Sequence, residues 1–126
     1  MVETAMIHRM LAEVMTADNY ARMERGAARL QNGLAAAIER HGLAWHVARV
    51  GARVEFICAP GPLRNGAEAE LAHAADLEAA IQLALVNRGT LIAPFHNMML
   101  VSPATTSRQI DRLIANFSDI AQRLAA

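Results

Sequence analysis

Apolar residues along this chain follow two periods. Residues 3–15 (ETAMIHRMLAEVM) place Met6, Met10 and Val14 on one stripe at i, i+4 and i+8, with Ile7 and Leu11 beside them, which predicts an amphipathic helix. Thr16, Ala17 and Asp18 offer capping chemistry. A second helix is expected from about Asn19 to His41, with Leu30, Leu34 and Ile38 on one face and Arg22, Arg25, Arg29, Glu39 and Arg40 on the others. Gly42 suits the position just past its end. The period then drops to two. Trp45–Val50 and Arg53–Cys58 read as short strands joined at Gly51-Ala52 in a tight hairpin. In the second strand Val54, Phe56 and Cys58 share one face, and Arg53, Glu55 and Ile57 the other. That alternation suits an antiparallel sheet covered on one side.

The helical period returns after a loop at residues 59–66 (APGPLRNG) whose Gly, Pro and Asn are turn formers. A third helix is expected over 67–87, with Leu77, Ile81 and Leu85 inward and Gly89 after its end. Thr90–Ala93 reads as a short strand, Pro94–Asn97 as a bend, and Met98–Ser102 as another strand. The apolar run MMLV predicts burial of that strand on both faces. Pro103 stops it. Thr106 and Gln109 form a capping box, in which each side chain accepts the other residue's free backbone N–H. The helix that follows carries Ile110, Leu113, Ile114, Phe117, Ile120, Ala121 and Leu124 on one stripe. The expected fold is α+β: a small, mainly antiparallel sheet with helices packed on one face, preceded by an N-terminal helix. Residues 1–42 would form a helical lead-in and 43–126 a sheet-and-helix unit, within a single domain.

Composition narrows the chemistry. The 126 residues suit one compact domain, and 54% apolar with 19% charged residues is a globular balance. Twelve basic residues offset twelve acidic ones, so no nucleic acid or anionic membrane is expected as a partner. All twelve basic residues are Arg. Without lysine, no side chain can form a Schiff base with a carbonyl cofactor. Cys58 is the single cysteine, which rules out an intramolecular disulfide and a cysteine zinc site, and a reducing, cytoplasmic setting fits. Glu3, Arg9 and Glu13 interrupt any signal-peptide apolar run. No uncharged apolar stretch approaches the roughly 18 residues a membrane-spanning helix needs. The first helix starts almost at Met1, as either a natural start or a cut within a longer helix would.

No catalytic set emerges from the residues themselves. His8, His41, His46, His73 and His96 show no metal-ligand spacing, and no metal site is expected. Asp76 and Glu78 lie two apart on a helix and point to different faces, as do Glu68 and Glu70. A solvated helix face is the expectation for both pairs. Ser102 and Ser107 lack a nucleophile-elbow context, and no Gly-rich phosphate loop is present. The seven methionines fall mostly at helical or strand core positions, where gap-filling is the expected role.

The segment NRGTLIAPFHNMMLVSPATTSRQ (residues 87–109) is more distinctive. A helix ending in NRG, a strand to APFHN, a strand to VSPATT and a capped helix together resemble the end of class III aminotransferases. The branch it looks like is that of the glutamate-1-semialdehyde aminomutases. Upstream, MIHRMLAEVMTADNYARMERGAARLQNGL is similar to that family's helical passage into its C-terminal domain, and AWHVARVGARVEFICAP to its central hairpin. PLRNGAE and the helix bearing Asp76 also fit, so the likeness runs through nearly the whole chain.

The resemblance implies a fold-type I enzyme, a homodimer, with pyridoxal phosphate (PLP) as cofactor. It further implies that the Schiff-base lysine, the aspartate facing the pyridine nitrogen and the phosphate-binding loop belong to a large catalytic domain outside these residues. That domain would be this chain's partner, and this chain alone would bind no cofactor and be inactive. By position in the family, Phe95, His96 and Asn97, after Pro94, would lie nearest the substrate entrance. Some branches carry an Arg three residues before the proline of the last strand, as a gate for a substrate carboxylate; Leu100 stands there in this sequence. The alternative is a stand-alone binding or oligomerisation module without enzymatic activity.

Overall fold

A computed structural model describes residues 1–93 and 97–126. Helix α1, Val2–Arg9, runs on into a π-helical turn, Met10–Val14, closed by Met15 N–H donating to Met10 O. No residue of α1 or of this turn is buried, and Met6, Ile7, Met10 and Leu11 are all more than half exposed. Thr16 then caps helix α2, Ala17–Arg40, by accepting the Asn19 N–H. The buried face of α2 is Ala27, Leu30, Leu34, Ala37 and Ile38, the stripe its periodicity predicts.

Strands β1, His46–Val50, and β2, Arg53–Ile57, pair antiparallel across the two-residue turn, with Gly51 at φ +57° where a side chain would be strained. Strand β3, Met98–Leu100, pairs antiparallel with β2, so the described sheet has the order β1-β2-β3. Helix α5, Ser107–Leu124, begins at the expected capping box. Thr106 Oγ1 accepts the Gln109 N–H and Gln109 Oε1 accepts the Thr106 N–H. As expected, the fold is α+β, with helices laid on a small antiparallel sheet.

Five expectations need correction. The helix expected over 67–87 is two: α3, Gly66–Leu71, and α4, Ala75–Asn87. Asn65 caps α3 by accepting the Glu68 N–H, and Ala74 leaves the helical region at φ −117°, ψ 70°, where its N–H is taken by Glu78 Oε1 at 3.2 Å. These side-chain caps interrupt a run whose propensity is helical throughout. Second, Thr90–Ala93 is not a strand, because among the described residues one backbone bond, Ala93 N–H to Met98 O, joins it to β3. Third, the last strand is three residues long and buried on one face only. Met99 is 5% exposed and Leu100 66%, because helices cover one side of the sheet. Fourth, Leu124 ends the α5 stripe in solvent at 45% exposure. Fifth, Met1, Met6, Met10 and Met15 are exposed rather than filling the core, because α1 and the turn after it bury no residue.

The core forms where α2, α5 and β2 meet. Phe56 from β2 and Phe117 from α5 are each 1% exposed, with ring centroids 4.9 Å apart at a tilt of 53°. Trp45 stacks over Phe56 at 6.4 Å and so closes the end of the sheet. Helices α2 and α5 come this close because Gly26 and Gly33, two turns apart on α2, leave room for α5 and for Val101. A Cβ on Gly33 would collide with the Ile114 side chain, and one on Gly26 would sit 3.1 Å from Val101 Cγ1. Arg29 adds a two-pronged pair with Asp111, at 2.8 and 2.9 Å, across the solvent edge of this seam. Gly33→Ala should therefore wedge the two helices apart and cost about 1–3 kcal/mol. Urea denaturation followed by circular dichroism checks this; an unchanged midpoint would contradict the close approach.

Candidate functional site

Of the three residues expected at the substrate entrance, Phe95 and His96 lie outside the described residues, as does Pro94. Asn97 is 5% exposed, stands in the left-handed region at φ 48°, and donates its side-chain amide to Phe56 O at 3.4 Å. Asparagine tolerates that backbone region better than most residues, because its short polar side chain bonds locally. Asn97 thereby ties the start of β3 to the end of β2.

Asn97 forms one wall of a cavity of about 340 Å³ between β2, α3 and the α3–α4 turn, shared with Glu55, Ile57, Leu63, Glu70 and His73. Glu78 also borders it, contrary to the expectation of a solvated face. Its side chain is 13% exposed, one oxygen capping Ala74 and the other 2.9 Å from His73 Nδ1. The polarity of this wall is therefore spent on fixing the turn. Cys58 lies nearby on the chain leaving β2. Burial, and secondarily the Glu78 carboxylate, push its thiol up from 9.0 to about 12. At neutral pH it stays a thiol and is a poor nucleophile.

Two other histidines have structural partners. His41 Nε2 lies 3.1 Å from Ser118 Oγ, joining α2 to α5, and His46 Nδ1 lies 2.8 Å from Ala59 O, holding the loop after β2. Among the described residues no three ligands gather for a metal ion.

A polar clamp that no spacing in the sequence reveals fixes residues 88–90 to α5. Asn116 on α5 donates to Thr90 Oγ1 at 2.7 Å and to Arg88 O at 3.3 Å, and Arg112 donates to the same carbonyl at 3.1 Å. Arg88 in turn grips Asp119 through Nε and Nη2, at 3.1 and 2.6 Å. The hydrogen bond from Arg88 is the chief reason the Asp119 carboxyl is held below its usual range. A second cavity, an apolar groove of about 640 Å³, opens beside this clamp between residues 89–93, β3 and the first half of α5.

Known structures share this fold. A lysine-to-alanine variant of glutamate-1-semialdehyde aminomutase from Pseudomonas aeruginosa, in complex with PMP, matches 89% of the chain at 43% identity and a TM-score of 0.87. A second structure of glutamate-1-semialdehyde aminomutase from the same organism matches 87% at 44% identity and 0.85. The chain matches an aminotransferase C-terminal domain in fold and in sequence. It spans about a quarter of the length of these relatives, 25% and 24%. An omega-transaminase from Sphaerobacter thermophilus carries the same fold at a TM-score of 0.71 and 16% identity, over 88% of this domain and 25% of that chain. No protein-family model and no curated protein matches the sequence. Among the described residues of the domain, no helix is long and apolar enough to cross a membrane.

The elevated Cys58 thiol sets a pH dependence. Its folded value lies above the ordinary one, so its contribution to stability is complete below about pH 9 and is lost as pH rises toward about 12. Between those limits the wild-type unfolding midpoint should fall more steeply than that of Cys58→Ala, measured by urea denaturation at a series of pH values. Parallel curves would show that the thiol is not shielded.

Proposed function

We propose that this domain is the C-terminal part of a PLP-dependent class III aminotransferase or glutamate-1-semialdehyde aminomutase-like enzyme, supportive in role and inactive alone. The observation that carries the reading is the combination of 43% identity to one quarter of such an enzyme with a sequence that has no lysine. Residues 1–42 act as the helical lead-in and 43–126 as the sheet-and-helix unit, and a large catalytic domain completes the enzyme.

These residues do not fit the cofactor as an imine-forming site. No side chain supplies the amine, and the one thiol is buried and protonated. The carbonyl chemistry of the cofactor therefore belongs to the large domain. This domain contributes a wall at the substrate entrance, where Asn97, with Phe95 and His96 beside it in sequence, shapes access and helps exclude water. Asn97 is suited to that part by its anchoring to Phe56, and Leu100 leaves the β3 position without a carboxylate-binding cation. The enzyme works in the cytoplasm as a homodimer. The exposed stripe of Met6, Ile7, Met10 and Leu11 supports association, because apolar surface of that kind seeks cover.

Two measurements test this. Purified chain mixed with PLP and reduced with borohydride should carry no phosphopyridoxyl group on any side chain, the N-terminal amine being checked separately by peptide mass. Added to the remaining three quarters of the Pseudomonas aeruginosa enzyme, expressed as a separate piece, it should restore amine transfer that neither piece shows alone. Turnover of an amino acid by the 126-residue chain alone, or no activity from a mixture in which the pieces bind each other, would overturn the proposal. Light scattering at high concentration should find a dimer or larger species, and a clean monomer would remove the support drawn from the α1 stripe.

A further inference from the structure

Residues 90–93 carry the side-chain pattern of a strand without its hydrogen bonds. Thr90 and Ile92 are 9% and 5% exposed, while Leu91 between them is 81% exposed. Across the groove, Met99 and Val101 are each 5% exposed and Leu100 is 66% exposed. The Ala93–Met98 bond, at 3.1 Å, sets these two segments in antiparallel register. Counting outward from it, Ile92 faces Met99, Leu91 faces Leu100 and Thr90 faces Val101. Both inward pairs are buried and the outward pair is exposed, as two neighbouring strands of a half-covered sheet require.

The backbone of β3 is prepared for the missing pairing. Val101 N–H donates to Ala52 O, so Val101 and Met99 turn their backbone groups toward β2. Met98 and Leu100 turn theirs to the opposite edge, where Met98 O already accepts from Ala93. The next rung, Leu100 N–H to Leu91 O and Leu91 N–H to Leu100 O, is not made among the described residues. The groove of about 640 Å³ is lined by both segments. The far end of residues 90–93 is held independently, by Thr90 N–H donating to Leu85 O at 2.9 Å and by the Asn116–Thr90 bond.

We propose that residues 90–93 are a latent fourth strand that zips onto the free edge of β3 when the Leu91–Leu100 pair is covered. Water competes for the Leu91 and Leu100 backbone groups while the pair is exposed. An apolar surface laid over it removes that competition and favours the direct bonds. That the covering surface is the catalytic large domain rests on the function proposed above. The closure itself does not, and it is testable on this chain alone.

The test replaces two exposed residues and the half-buried Cys58, and circular dichroism checks that each variant is folded. In a Cys58→Ala background, Leu91→Cys and Leu100→Cys would face each other as a hydrogen-bonded antiparallel pair, about 5.5 Å between Cα atoms, within disulfide reach. Oxidised glutathione should close the bridge to completion. Amide exchange by NMR at position 100 should then slow by at least about tenfold relative to the reduced form, as a newly paired backbone group requires. In the unmodified chain the Leu100 amide should exchange much faster than that of Met99. Equal protection of Leu100 and Met99 before any substitution, failure of the bridge to form in the folded variant, or unchanged exchange at position 100 on oxidation would each overturn the proposal. Failure of the two-piece reconstitution would leave these outcomes untouched, which keeps the two ideas separable.

Discussion

Everything in this domain is hung on α5 lying against α2, and that seam exists because α2 gives up side chains at Gly26 and Gly33. The absence of two Cβ atoms admits Ile114 and Val101 to the helix surface. Once seated, α5 does three jobs from successive positions. Phe117 reaches the sheet and meets Phe56. Arg112, Asn116 and Asp119 reach the other way and fix residues 88–90. Ser118 takes the end of α2 through His41. A helix displaced by even one methyl group would misplace all three, since close-packed interiors pass strain on rather than absorb it.

The polar groups follow a division of labour. Surface pairs such as Arg29–Asp111 and Arg64–Glu68 are at least half exposed on the arginine side and add little stability each. The partly buried ones, His73–Glu78 and Arg88–Asp119, set backbone geometry beside the two cavities. A chain that has no lysine offers no side-chain amine for imine formation, and its partly buried polar groups serve backbone geometry instead.

Much of this was legible in the residues. The stripes of α2 and α5, the hairpin, the capping box at Thr106 and the α+β class follow from periodicity and local chemistry, which act over a few residues and leave a local trace. The segment 87–109 carried the family likeness because turn formers, short strands and a cap occur there in a fixed order. The misreadings share one cause. The break between α3 and α4 depends on Glu78 capping a turn four residues back, and nothing in AELAHAADLE signals that this carboxylate is turned inward. Thr90–Ala93 has the alternation of a strand but lacks the neighbour's hydrogen bonds, and alternation alone does not create a ladder. The α1 stripe forms on a helix, yet among the described residues it stays exposed.

By itself, then, the sequence determined the local elements, the absence of an imine-forming side chain and the membership of most core positions, because each depends on neighbours within a turn or a strand. Tertiary structure alone decided how deeply Asn97 is buried, that Asn116 finds Thr90 across 26 positions, that Glu78 faces inward and that Leu100 stays exposed on a sheet edge. These depend on which surfaces meet in space, and contact between distant segments leaves no period or motif in the chain that makes it.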